Sequence, residues 1–105
     1  MSKVYEVQHP LIQHHLANLR SLDTPPPEFR QLIQRLAVLL AYEATHDLMV
    51  RPAELQTPLT KTTGHQLSQR IGLIPILRAG LGMVDPILNL IPSAEVWHLG
   101  LYRDE

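Results

Sequence analysis

Leu11, Ile12, His15, Leu16, Leu19 and Leu22 recur at steps of three and four residues, the spacing of one face of an α-helix. Pro10 stands where a first helical turn would begin, a position at which a missing N–H costs nothing. The stretch therefore predicts an amphipathic helix. Thr24 to Pro27, "TPPP", interrupts it, because proline in a helix interior removes a donor and clashes with the preceding turn. Phe29, Leu32, Ile33, Leu36, Ala37 and Leu40 then restart the period, with Arg30, Gln34 and Arg35 mostly on the other side. A second and longest helix is predicted to run to about Asp47.

The period changes after Met49. Leu55, Thr57 and Leu59 alternate with Glu54, Gln56 and Pro58, which predicts an exposed β-arm or loop between Met49 and Thr63 with "KTTGHQ" as its tip. Pro52 and Pro58 lack a ladder donor and exclude a central strand there. Next comes "IGLIPIL", an apolar run too short for a helix and read as a buried strand. Met83, Val84, Ile87, Leu88 and Ile91 fall at helical spacing until Pro92. "EVWHLGLY", Glu95 to Tyr102, is rich in β-branched and aromatic residues and predicts a second strand. Strand, helix and strand in this order form a βαβ unit, with parallel strands joined by a crossover expected to be right-handed. The predicted class is α/β, with two N-terminal helices, a β-arm and a βαβ unit that begins a parallel sheet.

Composition narrows the function classes. The chain has 105 residues and is 45% hydrophobic, which allows one domain at most, and the two strands of the βαβ unit make a poor sheet by themselves, so residues 1–105 are expected to be the N-terminal portion of a single domain. Nine Lys and Arg stand against ten Asp and Glu, so no global field recruits nucleic acid or an anionic membrane. Any anion site must be local. The chain has no cysteine, which excludes thiolate chemistry and leaves the redox compartment open. Glu6, Gln8 and His9 fall where a signal peptide needs an apolar run, and no segment reaches membrane-span length. A cytoplasmic location is the expectation.

The charge that draws the eye is Arg78, at the junction of "IPIL" with the small residues Ala79, Gly80, Leu81 and Gly82. In a βαβ unit ligands bind outside the carboxyl ends of the strands. Arg78 ends the first predicted strand and Arg103 follows the second, which puts both guanidinium groups on one edge of the sheet. Small residues at Ala79 and Gly80 let backbone N–H groups approach a ligand at the positive end of the next helix. Together these residues describe a phosphate or pyrophosphate cradle, with arginine suited to it by its bidentate fork. Each feature also has a plainer use. "GLG" lacks both the third glycine of a dinucleotide fingerprint and the Gly-Lys-Ser/Thr of a P-loop, and serves helix–strand packing equally well. Arg103 read alone is as much a solvated strand end as a ligand. His9, His14, His15, His46, His65 and His98 show no metal-ligand spacing, and Glu43 with Asp47 reads as a solvated or ion-paired helix face. No metal ligand and no catalytic acid, base or nucleophile is assigned.

"HPLIQHHLANLR", "YEATHDL", "QTPL", "PILRAGLGMVD" and "LGLYRDE" together resemble, in that order, the N-terminal half of the uracil phosphoribosyltransferases. The resemblance covers nearly the whole chain. It implies the first part of a type I phosphoribosyltransferase sheet and a homo-oligomer. It also implies conversion of uracil and phosphoribosyl pyrophosphate, with magnesium, to UMP and pyrophosphate in pyrimidine salvage. Arg78 and Arg103 match the arginines that contact phosphoribosyl pyrophosphate in that family. His46 stands where arginine is common, and Pro86 where glycine is common; proline is acceptable in a first helical turn. Family members continue beyond the matched region with an acidic, "TGGS"-like loop for the ribose 5-phosphate and a segment that recognises uracil. Neither occurs in these residues. The expectation is an N-terminal portion of the enzyme, inactive alone, that works with a companion C-terminal half or as part of a homo-oligomer. The alternatives are a non-catalytic oligomerisation or regulatory module derived from the family, and a nucleotide-binding domain of unrelated chemistry.

Overall fold

His9 starts the first helix. Its Nδ1 accepts a hydrogen bond from the Leu11 N–H at 3.1 Å, satisfying one of the donors that a helix N-terminus leaves unpaired. The computed structural model describes residues 3–76 and 80–97. In it α1 spans Pro10–Leu19 and α2 spans Pro26–Ala44, followed by β1, Val50–Gln56, and β2, Lys61–Leu67. Then come β3, Gly72–Leu73, a 3-10 turn at Leu81–Met83, α3 at Val84–Leu90 and β4, Glu95–Val96.

Both long helices stop sooner than their apolar periodicity suggests, because polar side chains compete for their last carbonyls. In α1 the Thr24 hydroxyl folds back and donates to Asn18 O. In α2 the Thr45 hydroxyl donates to Ala41 O at 2.7 Å, and His46 Nδ1–H donates to Glu43 O at 2.8 Å. Asp47 therefore lies past the helix end and shares no helix face with Glu43.

The arm is a two-stranded antiparallel hairpin, with Val50 opposite Leu67 and Gln56 opposite Lys61. Its tip is Thr57 to Thr60, and "KTTGHQ" forms the returning strand instead. Thr57 organises the turn. Its amide and hydroxyl both donate to Thr60 O, at 2.8 and 2.6 Å, and its oxygen accepts from the Thr60 N–H at 3.0 Å. Pro52 is accommodated inside β1, opposite His65, as expected of an edge strand.

β3 and β4 pair in parallel, Gly72 with Glu95 and Leu73 with Val96, which establishes the α/β class and the βαβ order. Each is shorter among the described residues than its sequence suggested. Pro75 is buried and brings no N–H to a ladder. Pro86 sits in the first turn of α3, where proline is tolerated.

The core lies between the helices. Ile12, Leu32, Leu36 and Ala37 are its buried hydrophobic residues among those described, and Gly82 brings the crossover close enough to Ile33 that an added Cβ would stand 3.9 Å from Ile33 Cγ2. The Cα radius of gyration is 17.6 Å, against about 13 Å for a compact domain of this length. Replacing Leu36 by alanine removes a buried side chain from this thin core and should cost about 2–5 kcal/mol. Urea unfolding of the purified chain measures it. An unchanged midpoint would place the core elsewhere.

Candidate anion-binding site

Of the residues expected to form the cradle, Gly80 lies among the described residues, and Arg78, Ala79 and Arg103 lie outside them. Gly80 follows the parallel strand and precedes the 3-10 turn. Its N–H donates to Ile76 O at 2.8 Å, so this amide closes a turn and is not offered to a ligand. A Cβ at Gly80 would stand 3.1 Å from Ile76 N and 3.3 Å from Ile76 O. The glycine is thus required by a close backbone approach, and its φ of −83° is open to any residue. The helix N-terminus expected directly after the glycines is set back by the turn at Leu81–Met83, whose Met83 N–H donates to Gly80 O at 3.2 Å.

The parallel pair carries a polar cluster that the sequence reading missed. Glu95 Oε1 accepts from Arg70 Nη2, and Glu95 Oε2 accepts from Trp97 Nε1 at 3.2 Å. Hydrogen bonding and charge from Arg70 hold the Glu95 carboxyl below its ordinary value, and the carboxylate in turn raises Arg70. The visible signal was a charge on each side of the predicted strand starts, Arg70 before one and Glu95 at the head of the other.

Larger hollows lie elsewhere. One of about 630 Å³ is lined by Leu11, His15, Arg35 and Pro86 among others, and one of about 1010 Å³ by Tyr5, His9, Glu43 and Asp47 among others. Gly80 lines neither. His15 Nδ1 is buried without a hydrogen-bond partner beside the first. Among the described residues no three His, Asp or Glu side chains are placed to hold a metal ion, and no helix is long and apolar enough to cross a membrane.

The family model for uracil phosphoribosyltransferase matches residues 6–105. The chain belongs to the uracil phosphoribosyltransferase family. The uracil phosphoribosyltransferase of Roseiflexus castenholzii is 58% identical over 104 residues, covering 99% of this chain and 50% of that protein. That of Streptococcus pneumoniae is 49% identical over 106 residues, covering 100% of this chain and 51% of that protein. Among solved structures, the AQ2163 protein from Aquifex aeolicus superposes with a TM-score of 0.87 at 34% identity, over 96% of this chain and 49% of that one. The chain thus spans about half the length of the uracil phosphoribosyltransferases it matches.

Two measurements follow from this geometry. Gly80→Ala forces a methyl group onto the Ile76 backbone and should destabilise the turn by about 1–3 kcal/mol, the usual scale of overpacking; an unaltered urea midpoint would show that the approach is not tight. The stability that Glu95 draws from Arg70 belongs to its ionised form, because its folded value is depressed. It should be complete above the ordinary carboxylate value and lost as pH falls through the lowered one, and Arg70→Gln should remove that part of the acid dependence. Identical acid unfolding of parent and variant would contradict it.

Proposed function

We propose that this chain provides the phosphoribosyl pyrophosphate side of a uracil phosphoribosyltransferase, which joins uracil to phosphoribosyl pyrophosphate and releases UMP and pyrophosphate in pyrimidine salvage. The observation that carries the reading is the family match over residues 6–105. The parallel order of β3 and β4 supports it, since both arginines follow these strands in sequence. A cytoplasmic location goes with this reading.

In the proposed reaction a pyrimidine ring nitrogen attacks the anomeric carbon. The proton of the nitrogen passes to water, the bond from that carbon to the pyrophosphate oxygen breaks, and pyrophosphate leaves with the electron pair. Little covalent protein chemistry is needed. Charge grows on the leaving group, and fixed donors aimed at it lower the barrier more than mobile water does. Arg78 and Arg103 are assigned this role, with Ala79 and Gly80 keeping the approach free of bulky side chains. Magnesium is assigned to the substrate, as counter-ion of its pyrophosphate group, and no step is derived through it.

These 105 residues are proposed to be inactive alone. Fixing two reactants in one geometry supplies about 7–11 kcal/mol of such a barrier, and no residue of the chain is assigned to the ribose 5-phosphate or to uracil. The extended shape and thin core favour work within an assembly, either a homo-oligomer or a pairing with a companion C-terminal half. The hairpin, with Leu59 at its tip 95% exposed, is the element proposed to reach the partner. The same observation supports the second reading, a non-catalytic assembly module of the family.

Purified chain incubated with radiolabelled uracil, phosphoribosyl pyrophosphate and magnesium should give no UMP above the blank. Adding the C-terminal half of a related enzyme should restore activity, and failure to restore it favours the module. Arg78→Ala should weaken pyrophosphate binding by about 1.5–3 kcal/mol at matched ionic strength, the scale of a hydrogen bond to a charged group. Equal binding would remove Arg78 from the site.

A further inference from the structure

We propose that the hairpin joins a second copy of this chain by strand addition along the outer edge of β2, with Gly64 of both copies on the two-fold axis. The inference rests on the reading above that the hairpin is the element that reaches a partner.

The hydrogen-bond phase of the hairpin fixes which backbone groups face outward. Thr57 N–H donates to Thr60 O at 2.8 Å at the tip, and Ser68 N–H donates to Met49 O at 3.0 Å at the base. Both pairs continue the register in which Val50 faces Leu67 and Gln56 faces Lys61. In an antiparallel ladder, pairs that exchange hydrogen bonds alternate with pairs whose N–H and C=O groups point away from each other. Arg51–Gln66, Ala53–Gly64 and Leu55–Thr62 are therefore the bonded pairs. Val50–Leu67, Pro52–His65, Glu54–Thr63 and Gln56–Lys61 turn their backbone groups to the outer edges.

The two edges are not equivalent. Pro52 lies in the outward-turned set, so its missing N–H interrupts the outer edge of β1 near its middle. That placement lets the hairpin keep its own ladder and blunts β1 against further pairing. β2 holds no proline. Lys61, Thr63, His65 and Leu67 each present a donor and an acceptor along its outer edge, where the Thr60 hydroxyl already donates to Lys61 O at 3.3 Å. Among the described residues β1 and β2 pair only with each other.

The occupant that fits this edge is β2 of a second copy. A two-stranded hairpin is marginal in water, and both strands are exposed at every position except Ala53 and Gly64. An antiparallel mate must set outward-turned residues opposite one another. Centred on Gly64, it overlaps all 7 residues of β2, with Lys61 opposite Leu67 and Thr63 opposite His65 of the second copy. Centring on His65 instead would oppose two histidines, and a parallel mate would bring the two lysines together. Side-chain shape selects the same centre. Leu55 lies over Gly64, where an added Cβ would collide with its Cδ2, and is 43% exposed. The two glycines would meet as a pair of the closely spaced kind, with Cα atoms about 4.5 Å apart, and the two Leu55 side chains would cover each other across them. The contact is self-complementary, as a two-fold dimer requires. It is also small, which predicts a weak, concentration-dependent dimer.

Sedimentation equilibrium of the full chain tests this with one proline on each side of a single cross-strand pair, Glu54–Thr63, neither of whose N–H groups the hairpin ladder uses. Thr63→Pro should weaken dimerisation roughly tenfold or more, because it removes a donor from the accepting edge. Glu54→Pro should leave it within about twofold, since it alters the edge that Pro52 already blunts. The reverse pattern, or a dimer indifferent to both, overturns the proposal. A cysteine pair fixes the register independently and decides the matter if both prolines disturb the hairpin. The chain has no cysteine of its own, and the proposed register sets Thr62 opposite Gln66 of the second copy at a spacing a disulfide can span. Thr62→Cys and Gln66→Cys chains, mixed and oxidised, should give a covalent dimer, whereas each alone should give little. No covalent dimer in the mixture, or as much from either alone, overturns the register. A parent chain that stays monomeric overturns the proposal outright, and reconstitution with a C-terminal half then tests the hairpin reading by itself.

Discussion

Backbone hydrogen bonds, among them those from Glu95 to Ile71 and from Trp97 to Leu73, hold the two ends of the crossover side by side among the described residues. The functional reading depends on them. Without that parallel pairing, the 3-10 turn and α3 would be a helical excursion with no fixed destination. Parallel strands carry an additional demand, since they are stable only within a sheet of several strands covered on both faces. Ile74, Ile76 and Trp97 are each about half exposed or more in and around this pair, so the described residues leave apolar surface at the place where cover is needed.

That constraint connects the thin core to the proposed way of working. The helices bury Ile12, Leu32, Leu36 and Ala37 among themselves, which fixes α1 on α2, and α3 joins them through the crossover. The hairpin stands apart with its apolar tip in solvent. Near the parallel pair, the carboxylate of Glu95 gathers the Arg70 and Trp97 side chains.

The sequence disclosed the fold wherever apolar periodicity or proline placement governed it. Pro10 and Pro92 bracketed helices, the alternation around Leu55 predicted the arm, and the strand–helix–strand order predicted the parallel pair. Side-chain hydrogen bonds decided what periodicity could not. Thr24 and Thr45 end helices whose apolar pattern runs on, and Thr57 moves the hairpin tip four residues earlier than "KTTGHQ". At the site, the glycine at position 80 was legible, but its purpose was not. The expectation was an amide open to a ligand, and the amide instead closes a turn on Ile76. The Arg70–Glu95–Trp97 cluster was hidden because its members lie up to 27 positions apart in sequence (97 − 70) and meet only once the crossover is made.

The central claim is that the edge reached through β3 and β4 binds the pyrophosphate group. Hydrogen exchange of the chain with and without phosphoribosyl pyrophosphate and magnesium tests it most directly, because protection reports where a ligand orders the backbone. The account predicts slowed exchange in peptides spanning residues 72–84 and 95–105, with α1 and the hairpin unchanged. Protection confined to the helices or the hairpin, in a sample shown by dialysis to bind the ligand, would contradict it.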